Sequence, residues 1–103
     1  MSMYDMANMR KLKSLGAKAP ETWKSYLAFD EAARADGVVP KKYKELMAVA
    51  VALTTQCPYC IEIHKAEAVK AGATEEELVE TAFVAADLRA GGTITHATHL
   101  ISD

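Results

Sequence analysis

Leu46-Met47-Ala48-Val49-Ala50-Val51-Ala52-Leu53 decides the fold, because this apolar run is short enough for a buried strand and equally suited to a buried helix. Its neighbours favour the helix. Pro40 is followed by Lys41-Lys42-Tyr43-Lys44-Glu45, a lead-in of helix formers, and alanine alternates with larger residues through the run. The pattern therefore extends backwards into one helix of about four turns, over residues 41–55. A strand here would carry the following Cys57-Pro58-Tyr59-Cys60 into a mixed α/β redox site. Such a site packs its thiols against a proline-bearing strand, yet no proline and no Val/Ile-rich stretch follows Cys60. The expectation is an all-α domain.

Working outward, the punctuation is that of helices. Pro20 and Pro40 occupy helix-opening positions, while Gly16, Gly37 and Gly72 close the segments before them. Thr74 and Glu77 have the spacing of a capping box, which predicts a helix from about Glu75 to Arg89, ended by Gly91-Gly92. Thr93 to Ile101 then forms a short last helix. Trp23, Tyr26, Leu27 and Ala33 share one face of a segment from Glu21 to Ala35, and Leu78, Ala82, Ala85 and Ala86 share one later. Trp23, Tyr26 and Phe29 read as core or subunit contacts. Met6, Met9, Leu12 and Leu15 mark a weaker N-terminal helix, and Met1, Met3, Met6 and Met9 an adaptable packing strip. The count is about five to six helices in a single domain over residues 1–103, with residues 40–100 carrying the core motif.

Composition narrows the function classes. The chain has 103 residues, half of them hydrophobic, enough for a helical core without staples. Its net charge is −2 with both signs interleaved, which lacks the footprint of a nucleic-acid binder. The first residues do not read as a signal peptide, and the run from Leu46 to Leu53 is too short to cross a bilayer. The expected location is the cytoplasm, where a close cysteine pair is more often catalytic or metal-binding than structural.

Cys57 and Cys60 are the only cysteines, and Pro58 between them makes Cys57 the N-cap of a new helix. Unpaired N–H groups and the positive end of the helix dipole favour thiolates there. Residues three apart in a first turn also lie within disulfide reach. His64 is one turn beyond Cys60, where a neutral imidazole would take the thiol proton and lower the Cys60 pKa. Glu45 lies about 15 Å back from the turn on one helix and His64 about 10 Å forward on the next. If the two helices form a hairpin, the carboxylate meets the imidazole and fixes its tautomer. Cys60 is then the expected attacking thiolate, and Cys57, at the helix tip, the sulfur that exchanges with partners.

Glu45, eleven residues, Cys57-Pro58-Tyr59-Cys60, three residues and His64 resemble the signature of the carboxymuconolactone decarboxylase-like superfamily, in its alkylhydroperoxidase AhpD-like branch. The resemblance covers roughly Pro40 to Leu100, including the Gly72-Ala73-Thr74 break, Arg89-Ala90-Gly91-Gly92 and His96. It implies an all-α fold, homo-oligomers such as trimers or hexamers, and a dithiol that reduces peroxides or disulfides. It further implies Glu45, Cys57, Cys60 and His64 as catalytic residues, no cofactor, and an external dithiol reductant such as dihydrolipoamide or a thioredoxin-like protein. Some members place a histidine between the cysteines where this chain has Tyr59. The competing reading from another class is a small zinc-binding or regulatory module, with Cys57, Cys60 and His64 joined by His96 or His99. Outside that reading, His96 is at most a wall of the pocket.

Overall fold

The computed structural model describes residues 4–103, and among them every regular element is helical. A 3-10 helix, Met6–Lys11, leads into α1 (Leu12–Lys18), followed by α2 (Pro20–Arg34), α3 (Lys41–Thr55), α4 (Pro58–Lys70) and α5 (Glu75–His96). A second 3-10 helix, Ala97–Leu100, ends the order. The apolar run from Leu46 to Leu53 lies wholly inside α3, so the helical reading of that stretch holds. Contacts divide the chain into two compact units, one ending at Lys41 and one spanning Lys42–Asp103.

In the first unit, Gly16 does not end a helix as its sequence position implied. It sits buried in the last turn of α1, and a methyl group there would collide with the Trp23 indole. Pro20 occupies the first turn of α2, where its missing N–H costs nothing. Trp23 is half-buried and its ring lies 5.6 Å from that of Tyr26, whereas Phe29 is exposed. Met6 is exposed and Met9 half-buried. Met1 and Met3 lie outside the described residues. The Asp36 carboxylate accepts the Lys41 N–H at 2.8 Å, a long-reach cap on the start of α3.

The second unit is built on small residues. Val49, Ala68 and Ala73 form its buried cluster, with Leu46, Leu53 and Leu78 packed around it. Alanine at these positions lets helix backbones approach closely, so the apolar content is spent on contact rather than bulk. The exit from α4 is a Schellman motif: Gly72, at φ 100°, donates to Val69 O at 3.0 Å, and Ala73 donates to Ala68 O at 2.9 Å. Only glycine adopts that backbone freely. Immediately afterwards Thr74 caps α5 in a complete capping box, with Glu77 N–H to Thr74 Oγ1 at 3.1 Å and Thr74 N–H to Glu77 Oε1 at 2.9 Å. Lys42 closes the same corner by an ion pair to Glu77 at 2.7 Å, tying the start of α3 to the start of α5.

The expected break at Gly91-Gly92 is absent. α5 runs through both glycines to His96, 22 residues or about 33 Å. Among the described glycines only Gly72 has a positive φ, so the pair carries no left-handed cap. Instead, Thr93 Oγ1 bonds Arg89 O at 2.9 Å and Thr95 Oγ1 bonds Gly92 O at 3.1 Å, inside a helix already nucleated by its strong N-terminus. The separate last helix expected over residues 93–101 reduces to the 3-10 turn.

Candidate active site

The turn between α3 and α4 is two residues long and places the sulfurs. Gln56 takes a left-handed backbone, φ 56°, unusual for a residue that is not glycine and costing on the order of 1 kcal/mol. Its N–H donates to Leu53 O at 3.3 Å, and the Cys57 N–H donates to Ala52 O at 3.1 Å, which pins the cysteine backbone to the end of α3. Proline restrains the residue before it to extended backbone, and Cys57 complies with φ −99° and ψ 101°. Pro58 opens α4 and Cys57 becomes its N-cap, its Sγ accepting the Cys60 N–H at 3.3 Å. Both thiols are free and half-buried.

This arrangement separates the two sulfurs electrostatically. The Cys57 pKa is pulled below the usual thiol range, first by a hydrogen bond from the Cys60 thiol, then by the Cys60 and Tyr59 backbone N–H groups. The Cys60 pKa is pushed up, because its proton is held by the Cys57 sulfur, because it is more desolvated, and because a negative Cys57 lies beside it. The expectation drawn from spacing was the reverse, with Cys60 acidified by His64. The cap decides the matter: backbone N–H groups converge on the N-cap sulfur, and Cys60 is the donor to it rather than the recipient.

Glu45 and His64 do meet. Glu45 is fully buried in α3, and its Oε2 lies 3.0 Å from His64 Nδ1, whose side chain is 18% exposed. A carboxylate accepts and does not donate, so the contact puts the imidazole proton on Nδ1 and leaves Nε2 as the basic nitrogen. The geometry thus forms two pairs, Glu45 with His64 and Cys57 with Cys60. Among the described residues no hydrogen bond joins the imidazole to either sulfur. His64 and Cys60 remain one turn apart on α4, neighbours on the helix surface.

The histidines offered for a zinc site sit elsewhere in the chain. His96 Nδ1 contacts Gly92 O at 2.8 Å and its ring faces that of His99 at 6.1 Å. Among the described residues no three of His, Cys, Asp and Glu converge closely enough to hold a metal ion. Two features of the site escaped sequence reading. The left-handed Gln56 has no local signal, since glycine or asparagine would be the residue to announce it. The Lys42–Glu77 pair joins residues too far apart in sequence for any periodic rule to connect.

The profile of the Carboxymuconolactone decarboxylase family matches residues 20–103. A protein of the cox locus of Paracoccus denitrificans is 45% identical over 78 residues, which cover 76% of this chain and 70% of that protein. A carboxymuconolactone decarboxylase family protein from Legionella pneumophila, solved in its apo form, is 37% identical with a TM-score of 0.74, over 87% of this chain and 80% of the other. A structure from Methanobacterium thermoautotrophicum is also 37% identical, with a TM-score of 0.79, over 84% of this chain and 97% of the other.

Proposed function

The chain belongs to the carboxymuconolactone decarboxylase family, and from that premise we propose that it is a thiol-dependent oxidoreductase of the AhpD-like kind, cycling Cys57 and Cys60 between dithiol and disulfide. The observation that carries this reading is the Cys57 sulfur seated as the N-cap of α4, acidified by the thiol and N–H of Cys60, with the pair of His64 and the buried Glu45 one turn beyond Cys60.

Reduction of a disulfide substrate then runs in two steps. The Cys57 thiolate attacks one substrate sulfur, the S–S bond breaks, and its electron pair departs on the first thiolate product. Cys60, still protonated, must now lose its proton. His64 Nε2 takes it, directly or through one water, while Glu45 stabilises the imidazolium from the other side of the ring. The Cys60 thiolate attacks the Cys57 sulfur, forming the internal disulfide and releasing the second thiolate. Two electrons have passed from the cysteines to the substrate, and an external dithiol restores them by the reverse exchange. A hydroperoxide enters the same cycle when Cys57 takes one oxygen as a sulfenic acid and releases the alcohol; Cys60 then condenses with it and water leaves.

Self-association belongs to the same reading. α5 exposes Phe83, Val84, Leu88 and Ile94 at 72%, 61%, 65% and 70%, more apolar surface than one helix of a monomer ordinarily shows to water. A second copy of the chain is the proposed cover, and sedimentation of the reduced protein at micromolar concentration tests it.

The test of the chemistry is stopped-flow reduction of bis(2-hydroxyethyl) disulfide. In the His64→Gln variant the first, mixed-disulfide phase is expected to keep its rate while the second slows by about tenfold or more. A second phase as fast as that of the unaltered protein would remove the histidine from the step assigned to it, and absence of both phases in the unaltered protein would end the oxidoreductase reading.

A further inference from the structure

A cleft of about 370 Å³ runs beside the Cys57 turn, at the lower end of the ~300–1,000 Å³ range of small-molecule sites. Leu53 and the methyl groups of Ala82, Ala85 and Ala86 supply its apolar wall, and Gln56 and Arg89 supply polar groups. Three features distinguish it from an incidental groove. Its rim is the turn that carries the nucleophile, since Gln56 is bonded to Cys57 and their Cα atoms are therefore about 3.8 Å apart. Gln56 holds the left-handed backbone that brings it to this rim, a strained state of the kind that collects at ligand sites. Finally, the Arg89 guanidinium makes no hydrogen bond or ion pair among the described residues, while Arg34 pairs with Asp30 and Lys42 with Glu77.

We propose that this cleft is the binding subsite for the oxidant, and that it selects disulfides bearing a carboxylate on a short apolar chain, with Arg89 holding the carboxylate. The inference rests on the oxidoreductase reading and names the substrate class for it. A guanidinium offers paired N–H donors that match a carboxylate in a bidentate fork. The alanine wall, two helical turns long from Ala82 to Arg89, takes the alkyl chain without polar cost. The reaction is the exchange already written. Cys57 attacks the substrate S–S bond, the carboxylate-bearing thiolate leaves with the bonding electron pair, and Cys60 displaces the second such thiolate.

Two disulfides of similar size and opposite character test this: 3,3′-dithiodipropionate, which carries carboxylates, and bis(2-hydroxyethyl) disulfide, which is neutral. The ratio of their rate constants for oxidising Cys57 is expected to favour the carboxylate despite the chain's net charge of −2. Arg89→Gln should lower that ratio by about three- to tenfold, a loss typical of one charge-assisted contact. Ala86→Leu, which fills the cleft from an exposed position, should lower it by blocking the chain. Hexanoate, unable to react, should shift the amide resonances of residues 82–89, and Arg89→Gln should abolish those shifts. A ratio unchanged in both variants, together with no hexanoate shifts, overturns the proposal even if the neutral disulfide is reduced normally. Arg89-dependent hexanoate shifts in a protein that reduces neither disulfide would uphold the carboxylate site and overturn the redox reading beneath it.

Discussion

Two helix N-termini in the second unit meet the same physical requirement with different chemistry. α4 and α5 each begin with backbone N–H groups that no helical carbonyl can satisfy. α5 answers with Thr74 and Glu77 in a reciprocal box, reinforced by Lys42. α4 answers with sulfur, a weak and polarisable acceptor, and a proline that removes one donor altogether. The first solution stabilises the fold. The second turns the Cys60 thiol and the N–H groups of Cys60 and Tyr59 toward one sulfur, and those hydrogen bonds, the thiol's first, pull the Cys57 pKa down. A helix start can thus serve as a clamp or as a reactive site, according to the acceptor its donors meet.

Substitutions can break this contrast, beginning with the largest effect. Cys57→Ser should abolish reduction of disulfides, by at least about a hundredfold, because the thiolate and not the hydroxyl is the nucleophile. Its thermal stability should change little, since serine is itself a good N-cap. Preserved turnover in this variant would transfer the nucleophile to Cys60. Glu45→Ala comes next: removing a fully buried partner of His64 should cost about 1–3 kcal/mol in denaturant unfolding and also slow the Cys60 step. A variant as stable as the parent would mean that His64 finds another acceptor.

Smaller effects sharpen the other side of the comparison. Thr74→Ala should cost about 1 kcal/mol of stability and leave thiol reactivity untouched, and a change in Cys57 alkylation rate would show that the two caps are coupled. The clamp also has a defined pH window. Glu77 is held below its ordinary 4.5, chiefly by Lys42, so its stabilisation is complete above that pH and lost as the pH falls through the lower folded value. Lys42 is raised above its ordinary 10.5 by the same bond, so that contribution is intact below 10.5 and lost as the pH climbs through the higher folded value. Urea midpoints of the parent and Lys42→Met should therefore converge at both extremes, and a constant gap from pH 3 to 11 would contradict the pairing. Smallest of all, Gly91→Ala should raise stability by about 0.5–1 kcal/mol, because an added methyl meets nothing within 4 Å and the backbone is already helical.

Features written in local chemistry were legible in the sequence. The capping box at Thr74, the proline starts of α2 and α4 and the helix through Leu46–Leu53 all depend on residues within a turn or two of each other. So did the meeting of Glu45 with His64, because a two-residue connection leaves two helices little freedom in how far each side chain lies from the turn. Gly16 and Gly91-Gly92 were misread for one reason. Glycine marks a stop only where the backbone turns left-handed, and sequence does not separate that use from close packing against Trp23 or from a tolerated helix interior. The acidity order of the thiols was misread because spacing places His64 near Cys60 but says nothing of which sulfur the backbone N–H groups point at.

The central claim is that the N-cap sulfur, Cys57, is the more acidic of the two thiols and the nucleophile. Reduced protein treated at pH 7 with a substoichiometric amount of iodoacetamide and read by peptide mass should carry the label at Cys57, with an alkylation midpoint below the usual thiol range that rises in Cys60→Ala. Label found first at Cys60, or a Cys57 midpoint unmoved by Cys60→Ala, would contradict it.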